Sequence, residues 1–280
     1  MFKKLLKYDL RAIWKLWLIC AASALGASII GGIALKMLIS PKLDLPVLLQ
    51  LICGFWVFIS IITISAFLIA TQILIYVRFY KHFFSDEGYL TFTLPVKRST
   101  LYISKMVNAM IWNLLSGTVF IIAILILILL AASSAIGGFG EVFSEIGSIF
   151  YGAQIGEVVT ATTFIVEGII FSLAATWFNI SLTHFCITTG ATITRKHKIL
   201  AAIGIYYAVN AAVGLISNIV SMGLSLTVFP IWASLSETNP VLFVIITYAI
   251  PIVAAAAFAG IALAFDAMTL KRIKYKLNMA

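Results

Sequence analysis

The chain has 280 residues, 62% of them hydrophobic and 10% charged, and a formal net charge of +9; its mean hydropathy is +1.12. A soluble domain carries roughly 25% charged residues, so a water-soluble globule is excluded, because only a bilayer can solvate this much outward apolar surface. The basic balance raises nucleic acid as a partner, but the placement of the positive charges argues against it.

The first fifteen residues predict an amphipathic interfacial helix with membrane lipid as a partner, its basic face meeting anionic head groups. Phe2, Leu5, Leu6, Leu10, Ile13, Trp14 and Trp17 share a broad apolar face, and Lys4, Lys7, Arg11 and Lys15 follow one another at helical spacing on the other side. The alternative is a plain solvated basic tail. Ala22-Ser23-Ala24 mimics a signal-peptide cleavage site, yet the apolar run continues to Ile39, which predicts an uncleaved first span.

A helix needs roughly 20 apolar residues to cross the hydrocarbon core. Six runs meet this test: Leu16–Met37, Val47–Val77, Lys105–Ala132, Val158–Thr192, Ile199–Met222 and Val241–Met268. The fold class expected is therefore all-α, a single polytopic transmembrane domain over residues 1–280. Of the 19 Lys and Arg residues, all but Lys36 and Lys42 fall before the first span, between the second and third, between the fourth and fifth, or after the sixth. The positive-inside rule puts those segments and both termini in the cytoplasm of a plasma membrane. The loop 133–157 carries Glu141, Glu145 and Glu157 and no basic residue, as suits the outer face.

The cytoplasmic link at 78–100 is the informative segment. Asp86-Glu87-Gly88-Tyr89-Leu90-Thr91-Phe92-Thr93-Leu94-Pro95 mixes a carboxylate pair with aromatic and aliphatic residues. Gly88 permits a turn, Pro95 stops a helix, and Ser99 or Thr100 is placed to cap the third span. Apolar residues held at a cytoplasmic surface suggest a docking patch for another protein; equally, Tyr89, Leu90 and Phe92 suit the membrane interface.

The run S-D-E-G-Y-L-T-F-T-L-P-V, followed by S-K-M-V at Ser104–Val107, resembles the membrane subunit of type-2 ATP-binding-cassette exporters, especially small permeases of Gram-positive bacteria. That resemblance implies a cytoplasmic coupling helix that seats in a cleft of a separate ATPase subunit. Asp86, Glu87, Gly88, Tyr89, Leu90, Thr91, Phe92, Leu94 and Pro95 become its contact region. It also implies a second permease subunit, identical or related, and a cytoplasmic connecting helix up to Lys15. Short re-entrant helices are implied on the outer side, for which 223–240 is available with Gly223, Pro230 and Pro240 as punctuation and Trp232 as an interfacial anchor.

No G-x-x-x-x-G-K-[ST] loop occurs, so any ATP would be used by a partner, with no cofactor bound directly. No H-E-x-x-H or G-x-S-x-G is present, and His82, His184 and His197 are scattered, so neither an enzyme nor a metal site is expected. Cys20, Cys53 and Cys186 each fall in an apolar run and read as small buried hydrophobes. Glu167, inside the fourth span, either contacts a substrate pathway or reaches water near the outer boundary. Asn179 joins it as a pathway candidate. With His184, Asn108, Asn113 and Asn210 it reads more simply as an interhelical hydrogen-bond partner. Asp266 is expected to be neutralised by Lys271 and Arg272. Ala256, Gly260 and Ala264, four residues apart, suit close packing within the subunit or at an interface. The rival readings are an ATP-independent transporter and a non-transporting immunity or sensing subunit.

Overall fold

The structure is a computed structural model and describes residues 2–40, 45–93, 95–135, 140, 141, 144, 161–194 and 197–275. The main elements are helices, in order α1 (Phe2–Ile39), α2 (Val47–Phe84), α3 (Asp86–Thr93), α4 (Arg98–Ala135), α5 (Ala161–Ile193), α6 (Lys198–Thr238) and α7 (Pro240–Tyr275). Six of them, all but α3, are long and apolar enough to cross a membrane. At 38 residues, α1, α2 and α4 would each reach ~57 Å, well beyond a hydrocarbon core of about 30 Å.

Two expected boundaries dissolve. The first fifteen residues are the opening turns of α1 and run unbroken into the span. No Gly or Pro precedes Gly26 to interrupt the hydrogen-bond ladder. Residues 223–238, expected as a separate re-entrant segment, are the last turns of α6, which carries Pro230 inside it. Where no water can solvate a freed carbonyl, continuing the helix is the lower-energy course, and a proline is tolerated. The reversal comes instead at Asn239. Its backbone N–H donates to the Leu235 carbonyl at 2.9 Å and ends α6. Its side-chain oxygen accepts from the Leu242 N–H at 3.2 Å, and Pro240 takes the first helical position of α7. Trp232 braces this turn by stacking on Phe243 at 4.8 Å and donating its indole N–H to Thr247 Oγ1 at 2.9 Å.

By its internal packing the chain divides into two units, Met1–Phe79 with Ile103–Ile149, and Tyr80–Tyr102 with Phe150–Ala280. In the first, Gly31 and Gly32 of α1 let other helices approach closely. A Cβ at Gly31 would lie 2.5 Å from the Ser60 side chain of α2, and one at Gly32 would lie 2.8 Å from Leu130 of α4. Trp17 donates to Ser116 Oγ at 2.7 Å, and Ser116 donates to Thr71 Oγ1 at 3.2 Å, so α1, α4 and α2 share one hydroxyl relay. Asn113 accepts from Gln72, bearing out its reading as an interhelical partner. Asn210 differs, donating only to the Tyr206 carbonyl of its own helix.

In the second unit, α5 packs on α6 and α7. Phe171, Phe178 and Phe185 stand seven residues apart on α5, and Phe258 and Phe265 stand seven apart on α7. Their rings meet in ascending order, Phe171 and Phe178 on Phe258, then Phe178 and Phe185 on Phe265, with centroids 5.1 to 6.2 Å apart. Arg272, another seven residues on, lays its guanidinium over Phe185 at 5.3 Å. The common ascent makes α5 and α7 parallel, and the seven-residue period keeps the seam facing its partner. Gly190 of α5 sits against the backbone of Ala202 in α6, whose Cα would be 2.6 Å from an added Cβ.

Candidate functional site

The segment expected to couple to an ATPase forms a discrete helix, α3, eight residues long. Phe83, at the end of α2, is fully buried and meets Phe92 of α3 edge to face at 5.8 Å. Gly88 is buried within α3, where a Cβ would lie 3.1 Å from the Phe83 carbonyl carbon and oxygen. Its N–H donates to the Ser85 carbonyl at 2.7 Å. The expectation that Gly88 serves a turn is therefore corrected: it allows the helix to fold back closely on the end of α2. Thr91 is buried, Phe92 half-buried and Thr93 exposed. Of Asp86, Glu87, Tyr89 and Leu90 the structure describes only the backbone, and Leu94 lies outside the described residues. Pro95 is exposed in the bend that follows α3, where a helix cannot continue.

Arg98, the first residue of α4, holds the other side. Its guanidinium lies 5.4 Å from the centroid of Phe92. The same group donates to the carbonyls of Ile273 and Lys274 at 3.0 and 2.9 Å. Those two carbonyls belong to the last turn of α7, where backbone acceptors lack intrahelical partners and the helix dipole favours a cation. One side chain thus joins α3, the start of α4 and the end of α7. Neither Ser99 nor Thr100 caps α4. Both lie inside it, and the Lys97 carbonyl accepts the first bonds, from Thr100 at 2.9 Å and Leu101 at 3.2 Å.

One turn further along α4, Tyr102 donates its hydroxyl to Asp266 Oδ1 at 2.6 Å, and Trp177 of α5 donates its indole N–H to Oδ2 at 3.0 Å. Asp266 is therefore held by neutral donors, correcting the expected pairing with Lys271 and Arg272. Arg272 turns instead to Phe185 and to Thr192 Oγ1, 3.4 Å away. His184, fully buried, stands edge-on to the Tyr102 ring at 5.9 Å.

In the first unit a buried ion pair went unread in the sequence. Lys105 was expected to flank the third span, but it lies inside α4 and donates to both Asp9 carboxylate oxygens at 2.6 Å, with both side chains almost fully enclosed. Arg78 approaches the same carboxylate at 3.8 Å from a position 30% exposed. The available signal was Asp9 itself, the sole acid in the first 43 residues. It falls in register with Phe2, Leu6 and Ile13 on the apolar face of α1.

The two pathway candidates do not converge. Glu167 is 8% exposed, and neither carboxyl oxygen has a hydrogen-bond partner among the described residues. The expectation that it reaches water is corrected by this burial. Asn179 is exposed and stands twelve residues on, which at 3.6 residues per turn is roughly 120° around the helix. Ala256, Gly260 and Ala264 are exposed too, with nothing within 4 Å of a Cβ at Gly260, so the stripe is not packed on any of the described residues. The three cysteines are free, Cys186 buried and the others half-buried. No group of three metal-ligating side chains occurs among the described residues.

These features define an all-α, polytopic integral membrane protein with six membrane-crossing helices among its described residues. No known family model, curated protein or solved structure matches the chain.

Proposed function

We propose that the chain is the permease subunit of an ATP-binding-cassette exporter in a bacterial plasma membrane, with both termini cytoplasmic and ATP hydrolysed by a separate ATPase subunit. In this reading α3 is the coupling helix. The observation that carries it is a discrete eight-residue helix between two membrane-crossing helices, held by Phe83 on one side and Arg98 on the other. A helix this short is not stable alone in water; its two anchors make it a stiff lever. Force on α3 would pass through Arg98 into the end of α7 and could tilt the parallel α5–α7 pair. The exposed small-residue stripe on α7 supports a second permease subunit packing there.

The test is capture of the full-length tagged chain from native membranes with a photo-crosslinking residue at exposed Thr93. An ATPase should co-purify in fixed proportion and cross-link at Thr93, but not at Tyr207, which is 70% exposed on α6. Recovery with no ATPase, in a detergent that preserves a known exporter complex, rejects the proposal. So does labelling of a Thr93→Cys variant by an impermeant maleimide applied outside intact cells.

A second reading, an ATP-independent transporter, draws on the buried Glu167, Asp9 and Lys105, since ionisable groups inside spans commonly mark transport paths. It predicts transport by the purified chain alone in vesicles.

A further inference from the structure

Within the first unit, α1 and α4 flank an open groove of about 400 Å³ lined by Lys7, Leu10, Arg11, Trp14, Ile111, Trp112 and Leu115. Four of these residues are spaced i, i+3, i+4 and i+7 on α1 and so lie along one stripe. The stripe sits at the border between the apolar and basic faces: Leu10 and Trp14 supply apolar wall, and Lys7 and Arg11 supply charge. Both cations are exposed, and neither forms an ion pair among the described residues, unlike Lys105 and Arg78, which both reach Asp9 on the same helix α1. The third feature is Trp112. It is 4% exposed, it walls the groove, and its indole N–H has no acceptor among the described residues.

We propose that this groove binds one anionic phospholipid, its phosphate held by Lys7 and Arg11 and an acyl chain laid along Trp14, Ile111 and Leu115. Three considerations select a lipid. The groove is formed by two membrane-crossing helices, so lipid is the solvent at its mouth. Its charge is positive and its floor apolar, matching an acidic headgroup joined to a hydrocarbon chain. Trp14, 45% exposed, is the amphipathic ring type that gathers at headgroup level. This inference does not depend on the exporter reading, since it concerns α1 and α4 and not α3.

The experiment is native mass spectrometry of the full-length chain released from bilayers of mixed phosphatidylglycerol and phosphatidylcholine. One phosphatidylglycerol per chain should be retained in preference to phosphatidylcholine. The Lys7→Gln/Arg11→Gln variant should lower that retention about 20–30-fold, as expected for two basic residues at an anionic surface. Lys3→Gln/Lys4→Gln removes the same charge and should leave retention nearly unchanged, because neither residue lines the groove. Leu115→Trp keeps both cations but fills the chain slot and should also abolish retention. It decides the matter if the double variant fails to fold. Equal retention of the two lipids overturns the proposal. Equal losses from the two double variants also overturn it, because attraction would then be diffuse. Retention undiminished in Leu115→Trp, or specific capture of an acidic protein segment in place of lipid, overturns it as well.

Discussion

The Lys105 ammonium donates to both carboxylate oxygens of Asp9 at 2.6 Å, inside a region where each side chain is about 5% exposed or less. Removing one member breaks a buried pair, which typically costs about 3–5 kcal/mol, whereas replacing both with apolar residues is often neutral; Arg78, 3.8 Å from Asp9, offsets part of the cost in Lys105→Ala. Asp9→Ala and Lys105→Ala should each lower the thermal unfolding temperature sharply in detergent. Buried Cys186 serves as the thiol reporter of unfolding. The double variant Asp9→Leu/Lys105→Met should recover most of the loss. Additive losses in the double variant would show that the two groups do not act as a pair.

Arg98 makes two charged hydrogen bonds to the end of α7 and one ring contact to α3. It is exposed, so the worth of these contacts is reduced by water, to about 1–2 kcal/mol. Arg98→Ala should raise amide hydrogen exchange roughly ten-fold in peptides covering α3 and the last turn of α7 together. Arg98→Lys should restore little, because the ammonium lacks the planar fork. Exchange confined to one of the two segments would break the inferred link between them.

Gly190 and Gly260 should respond to alanine with opposite signs. A methyl group at Gly190 meets the Ala202 backbone, which cannot swing aside as a side chain can; overpacking of this kind costs about 1–3 kcal/mol. At Gly260 the same methyl meets open space within the single chain, and alanine should stabilise the dissociated subunit by about 0.5–1 kcal/mol. Unfolding temperatures of Gly190→Ala and Gly260→Ala moving in the same direction would contradict the assigned α5–α6 contact.

Glu167 leaves no partner behind when replaced, since neither oxygen is bonded. Glu167→Leu should therefore raise stability, by up to about 2–3 kcal/mol on membrane-insertion scales, and Glu167→Gln should change it by less. A loss comparable to Asp9→Ala would mean that Glu167 is tied into the fold. A gain in stability together with loss of transport would place it on the substrate path.

Much of the architecture was legible because its cause is local. Apolar runs of bilayer length and the alternation of basic flanks predict six crossings without knowledge of any contact, and the six crossing helices occur where those runs lie. Residues 86–93 of the motif at 85–96 likewise form a separate short helix. Legibility failed at helix ends and at polar pairings. Lys15–Trp17 and Gly223–Pro230 looked like boundaries because charge or punctuation changes there, but backbone hydrogen bonding continues wherever no competing acceptor is offered.

Sequence by itself determined that this protein is helical and lives in a bilayer, because hydropathy and length act residue by residue. Only the tertiary structure decided that Asp9 pairs with Lys105, that Asp266 is met by Tyr102 and Trp177, and that Arg98 joins Phe92 to the end of α7. These partners are separated by 89 to 176 residues, Phe92 excepted. Their meeting depends on how helices pack around glycines and an aromatic seam, which no local pattern records.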